Sequence, residues 1–313
     1  MFRGSITAAL ALSLLAGLAP SPAMAEIPPA GVTWHRDIEF ARVDDQPILL
    51  DIYEPDNTDG PLPLVVYIHG GGWTSGSRKN CKATHLSGLG YVVASIDYRL
   101  LDEAIFPAQI YDCKAAIRWL RANAEQYSIN PNRVGVWGNS AGAHLSSLVG
   151  TSGGVAELEG DIGVTGYSSS VQAVLSVAGP CDMLDMFDRY GSDPDGAVYR
   201  LFGGPLEETH DLIVDASPIA HISFDDPPFL LVHGDHDYTV PYTQSVKFEQ
   251  ALLGAGVDVT LYTIPDGRHG TQDDGADAAI IAFFDQHLKP VPEPATLGLV
   301  GLGLIGLVSR RKK

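Results

Sequence analysis

Arg133-Val134-Gly135-Val136-Trp137-Gly138-Asn139-Ser140-Ala141-Gly142-Ala143-His144-Leu145-Ser146-Ser147-Leu148-Val149 is the stretch whose reading decides the fold. Its first five residues are a short apolar run of the kind that forms a strand buried on both faces. The run from Ala143 to Val149 has helical character, so a strand enters and a helix leaves with only Gly138-Asn139-Ser140-Ala141-Gly142 between them. A turn that sharp leaves no room for side chains at its two flanking positions, and both are Gly. The central Ser is forced into a strained backbone with its hydroxyl presented outward, which is the geometry of a nucleophile elbow.

The same strand-then-helix alternation extends in both directions. Trp34 to Phe40 and Ile48 to Tyr53 alternate apolar and polar residues and predict two antiparallel strands at a sheet edge. Leu64 to Ile68 is a continuous apolar run that ends in a second glycine cluster, His69-Gly70-Gly71-Gly72-Trp73. A helix-like segment near Asn80 to Gly88 precedes a buried strand at Tyr91 to Ile96, and Ala108 to Ala124 carries apolar residues at helical spacing. Asn130-Pro131-Asn132 separates that helix from the elbow strand. Beyond the elbow, Gly150 to Ser170 reads as a surface excursion and Val171 to Ala178 as a strand. Cys181 to Asp226 is long and mixed in character, and is expected to form a short lid. Strands at Phe229 to Val232 and Val259 to Ile264, with helices at Tyr242 to Leu253 and Ala276 to Leu288, complete the pattern. The expected architecture is α/β, a mostly parallel eight-stranded sheet with helices on both faces.

Both ends read as addresses. Arg3, an apolar run from Ile6 to Leu18, Pro20 and Pro22, then Ala23-Met24-Ala25 supply the three parts of a secretory signal peptide, with cleavage expected after Ala25. The other end reads Val291-Pro292-Glu293-Pro294, an apolar run from Ala295 to Val308, and Ser309-Arg310-Arg311-Lys312-Lys313. That run is shorter than the roughly 20 residues a spanning helix needs. The order of these parts resembles the PEP-CTERM sorting signal. The resemblance implies export from a Gram-negative bacterium to the cell surface or beyond, removal of the tail by an exosortase-type enzyme, and only transient membrane contact through the tail. Residues 1–25, 26–289 and 290–313 are thus expected to be signal peptide, catalytic domain and sorting segment.

The 313 residues carry 20 Lys+Arg against 38 Asp+Glu, a formal charge of −18. Five of the basic residues lie in the two end segments, so the core is more acidic still. Nucleic acid and anionic membranes are therefore disfavoured partners. Cys81, Cys113 and Cys181 read as core thiols, with a single disulfide as the alternative that an oxidising export route would permit.

Ligands of such a sheet bind at the carboxyl ends of its strands. Ser140, the His69 loop, Asp237 and His269 all follow predicted strands there. A Ser hydroxyl needs a base to remove its proton during attack, and the base needs a partner that fixes its tautomer. His269 is the candidate base, because it alone lies in a loop after the last strand, and Asp237 is the candidate partner, with Asp235 as the rival carboxylate. The backbone N–H groups of Gly71, Gly72 and Ala141 are the candidate oxyanion donors, with Gly71 and Gly72 expected to let a substrate approach the backbone closely. Trp73 is expected to line the substrate pocket. His144 is expected to pack locally, His69 to support its own loop, and Asp182 to cap the segment that follows it.

His69-Gly70-Gly71-Gly72-Trp73, Asp97-Tyr98-Arg99-Leu100, Phe106-Pro107, Gly138-Asn139-Ser140-Ala141-Gly142, Ser217-Pro218, His233-Gly234-Asp235-His236-Asp237 with Val240-Pro241, and Arg268-His269-Gly270 occur in this order. In that set the chain resembles the α/β-hydrolases of the hormone-sensitive-lipase-like group, most of all the feruloyl or acetylxylan esterase-like branch. The resemblance implies the α/β-hydrolase fold and a serine carboxylic-ester hydrolase needing no cofactor or metal. Its substrates would be short-chain acyl esters, including acetyl or feruloyl esters of polysaccharide. It places the acid on Asp237, four residues after His233, and the base on His269. A prolyl-oligopeptidase-like serine peptidase shares the H-G-x-x-D acid loop and is the enzymatic alternative; a non-catalytic surface binding module on the same fold is the other.

Overall fold

The computed structural model describes residues 28–289; the expected signal peptide and sorting segment lie outside the described residues. Eight strands form one sheet: β1 (Val32–Val43), β2 (Gln46–Pro55), β3 (Leu62–Ile68), β4 (Val92–Ile96), β5 (Ile129–Asn139), β6 (Ala173–Val177), β7 (Phe229–Gly234) and β8 (Val259–Ile264). Their spatial order is β1-β2-β4-β3-β5-β6-β7-β8. β1 pairs antiparallel with β2, and β2 with β4; every pair from β4 onward is parallel. Among the described residues, seven α-helices accompany them: α1 (Ala108–Ala122), α2 (Ala141–Thr151), α3 (Met183–Tyr190), α4 (Ala197–Phe202), α5 (Leu206–Asp215), α6 (Thr243–Ala255) and α7 (Asp274–Leu288).

The parallel strands β3, β4, β6 and β7, and β5 from Val134 onward, are buried along nearly their whole length, which is why their sequences are continuous apolar runs rather than alternating ones. Two hydrophobic layers flank the sheet. One packs Leu64, Val66, Val136 and Phe229 against Ile117, Leu145 and Phe248 from α1, α2 and α6. The other packs Val65, Tyr67, Trp137 and Leu230 against Ile280, Phe284 and Leu288 of α7.

The structure differs from the sequence reading in three local details. The segment near Asn80 to Gly88 forms only a 3-10 turn, Thr84–Leu89, which ends at Gly90 in the left-handed conformation that favours a stop over helix propagation. β5 begins at Ile129 and runs through Asn130-Pro131-Asn132; Pro131 sits at an exposed position, where its missing N–H costs the ladder nothing. The stretch from Cys181 to Asp226 is organised into α3, α4, α5 and a 3-10 turn rather than being irregular. Asp182 caps α3, its carboxylate accepting from Asp185 N–H at 3.1 Å. α3 has Met186 and Phe187 on its buried side.

Buried charges tie the loops at the carboxyl edge to the frame. The Arg78 guanidinium, buried just after the His69 loop, donates to Asp51 of β2 at 2.8 Å, to Asp97 beyond β4 at 2.5 Å, and to Asp37. Arg99 grips Asp112 of α1 with a two-pronged hydrogen bond. The excursion after α2 is held the same way. Lys114 and Arg118 of α1, both buried, reach Glu159 and the carbonyls of Ser152, Ile162 and Val164. Paired and hydrogen-bonded ions of this kind fix geometry even where they add little net stability.

Candidate active site

The elbow is built by steric exclusion. A Cβ at Gly138 would overlap the Gly142 carbonyl, and one at Gly142 would overlap the carbonyl of Ile68 and come within 2.6 Å of that of His69. Only glycine lets β5 and α2 meet beside β3 at this distance. Ser140, at φ 55° and ψ −120°, absorbs the turn in a conformation that side chains rarely adopt. Its N–H donates to Val177 O at 2.8 Å, which ties the strained residue to the end of β6.

The structure brings Ser140, His269 and Asp237 into one hydrogen-bonded chain. His269 Nε2 lies 2.9 Å from Ser140 Oγ, and His269 Nδ1 lies 2.7 Å from Asp237 Oδ2. With a carboxylate facing Nδ1, that nitrogen carries the proton and donates it, so Nε2 accepts from the Ser hydroxyl. The Asp237 side chain is fully buried and receives four donors. Oδ2 accepts from His269 and from His233 Nε2 at 3.1 Å; Oδ1 accepts from the N–H groups of Thr239 at 2.8 Å and Val240 at 3.0 Å. Burial alone would push this carboxyl up, but the hydrogen bonds from His233, His269, Thr239 and Val240 outweigh it and hold it far below the usual carboxylate range. The rival Asp235 is exposed.

The glycine cluster after β3 stands beside the elbow. Among the described residues, the N–H groups of Gly71, Gly72 and Ala141 donate to no other residue. Gly71 has φ 121°, and a side chain there would run into the Ser75 backbone, whose N–H returns to Gly71 O at 3.1 Å. Glycine at this position is therefore required by the loop's own turn. His69 donates from Nδ1 to Gly70 O at 2.8 Å and stacks on Tyr98, supporting the loop. His144 is fully buried, with Nε2 2.7 Å from Ala216 O, and burial pushes it down to about 4 despite that bond.

A cavity of about 460 Å³ opens at Ser140. Trp73, edge-on to His144, forms part of its wall together with Pro180, Met186, Val198 and Val240. Met186 and Val198 come from α3 and α4, so the segment after Cys181 does roof the site. All three cysteines are buried outside this cavity, and burial pushes the Cys113 and Cys181 thiols up. Sequence reasoning gave no role to His233. Its spacing of four residues before Asp237 was the available signal, and burial against Ser245 Oγ at 2.7 Å completes the picture.

An eight-stranded, mostly parallel sheet with an elbow Ser, a His after the last strand and an Asp after the strand before it defines the α/β-hydrolase class. Within that class the chain belongs to the BD-FAE family, whose model matches residues 50–252. Residues 290–313 match the PEP-CTERM protein-sorting motif. The esterase LipC of Mycobacterium tuberculosis is 32% identical over 80% of this chain and 64% of its own length. Among solved structures, a bifunctional GH43-CE protein of Bacteroides eggerthii is 34% identical with a TM-score of 0.74, over 81% of this chain and 38% of that one. A truncated carbohydrate esterase from gut microbiota is 32% identical with a TM-score of 0.73, over 81% and 95%. The chain spans about half to two thirds of the length of the curated relatives it matches.

Proposed function

We propose that this protein is a serine carboxylic-ester hydrolase working through an acyl-enzyme on short-chain acyl esters, with acetyl or feruloyl esters of polysaccharide as its natural substrates. The observation that carries the reading is the unbroken Ser140–His269–Asp237 chain opening on an apolar cavity. In this reading His269 Nε2 takes the Ser140 proton as Oγ attacks the ester carbonyl. The N–H groups of Gly71, Gly72 and Ala141 receive the oxyanion, each such donor being typically worth about 3 kcal/mol of barrier. Collapse expels the alcohol, which leaves with the proton held by His269, and water repeats the sequence to free the acid and restore Ser140. Asp237, ionised under all ordinary conditions, keeps the proton on Nδ1 and stabilises the imidazolium.

The carbohydrate esterase neighbours support a sugar-linked substrate. The PEP-CTERM match supports export, with residues 26–289 as the catalytic domain, residues 1–25 removed as a signal peptide and the tail removed by an exosortase-type partner. The test is a panel of p-nitrophenyl esters from acetate to palmitate, run with purified protein and with Ser140→Ala, alongside acetate release from acetylated xylan. Turnover confined to short chains and lost in the variant is the expected result. A folded protein inactive on every ester would sink the reading, and short-chain turnover without acetate release from xylan would remove the polysaccharide part.

A further inference from the structure

The cavity at Ser140 has an apolar interior and a mixed rim; Tyr190 lines it, and the largely exposed Tyr238 lies on the adjoining loop, whose next residues Thr239 and Val240 line it too. Tyr238 is 81% exposed although it stands directly beside Asp237. Tyr190, the last residue of α3, is 38% exposed, lines the cavity, and places its hydroxyl 3.5 Å from the Tyr238 carbonyl. Arg189, Ser192 and Thr239 on the same rim supply polar groups around them. An exposed aromatic ring beside a catalytic mouth is costly to leave in water and is matched by a flat apolar ligand face. A pyranose ring offers such a face through its C–H bonds and a rim of hydroxyls around it; an alkyl chain offers no use for the polar neighbours.

We infer that Tyr238 and Tyr190 form a stacking platform for the sugar ring on the alcohol side of the scissile ester. The inference rests on the ester-hydrolase reading above. The alcohol leaves with the proton held by His269, so it departs over that residue, and Tyr238 belongs to the loop that carries the partner of His269. The acyl group is then directed into the apolar interior under Met186 and Val198.

The experiment compares kcat/KM on a monoacetylated xylo-oligosaccharide, on ethyl acetate and on methyl ferulate for the full-length protein, Tyr238→Ala, Tyr238→Phe and Tyr190→Ala. The expected result is a fall in the xylo-oligosaccharide to ethyl acetate ratio of about three- to tenfold in both Ala variants, carried by KM, with Tyr238→Phe keeping the ratio. An unchanged ratio in an active protein overturns the platform while leaving ester hydrolysis standing. A loss confined to methyl ferulate overturns it in favour of an acyl-side role for these rings. A wild-type protein inactive on all three esters overturns both readings.

Discussion

His233 Nε2 lies 3.1 Å from Asp237 Oδ2, the same oxygen that accepts from His269 Nδ1 at 2.7 Å. Two imidazoles thus share one carboxylate oxygen, and only the second of them reaches Ser140. His233 is fixed from its other side by Ser245 Oγ at 2.7 Å and also meets Val240 O at 3.0 Å, so it holds Asp237 in place. Replacing His233 with Phe removes one of four donors and leaves Ser245 without its buried partner. The expected outcome is a kcat about tenfold lower at unchanged KM and a stability loss of about 1–3 kcal/mol, read from steady-state kinetics and urea unfolding.

Asp237→Asn keeps the shape of the carboxyl but presents an amide to His269 and favours the wrong tautomer. A fall in kcat of about 10⁴-fold is expected. An activity within tenfold of wild type would show that another carboxylate orients His269.

His144 makes stability fall on the acid side. Its folded value of about 4 lies below the ordinary 6.5, so between these limits the unfolded chain binds a proton that the folded one refuses. Stability therefore rises with pH from about 4 to 6.5 and is fully present above that range. The contribution is on the order of 3 kcal/mol across the window. Urea unfolding at pH 4.5 and 7.5 should show a smaller pH difference in His144→Gln than in wild type.

Asp237 acts at lower pH. Its carboxyl is held far below the unfolded value, so its contribution is present above about pH 4 and is lost progressively as the pH falls further. Asp237→Asn should flatten the unfolding curve below pH 4 while leaving the His144 region unchanged.

Gly142→Ala tests the steric basis of the elbow. A methyl group there meets the carbonyls of Ile68 and His69, backbone atoms at the end of the central strand β3 and just beyond it that cannot swing aside. Destabilisation of more than about 3 kcal/mol, or failure to fold, is expected by thermal unfolding. Gly88→Ala, where a Cβ meets open space, should change stability by less than about 1 kcal/mol.

The sequence by itself determined the elements whose cause is local. The apolar runs at Leu64–Ile68 and Val134–Trp137 could only be buried strands, and the glycines at 138 and 142 follow from the sharpness of the turn between a strand and a helix. The order Ser140, Asp237, His269 narrowed the site to a few loops at one sheet edge. What brings those loops together is the parallel register of β3, β5, β7 and β8, set by packing on both faces of the sheet. Tertiary structure alone decided that Asp237 rather than Asp235 turns inward, because four donors await it: two backbone N–H groups of its own loop, the imidazole of nearby His233 and that of His269, 32 positions on. It also decided the role of His233, the helices that roof the cavity, and the reason for Gly71. The assembled site depends on contacts between residues far apart in the chain, such as the 129 positions separating Ser140 from His269, and even the near pairs His233–Asp237 and Gly71–Ser75 meet only through folded loop geometry that no residue pattern spells out.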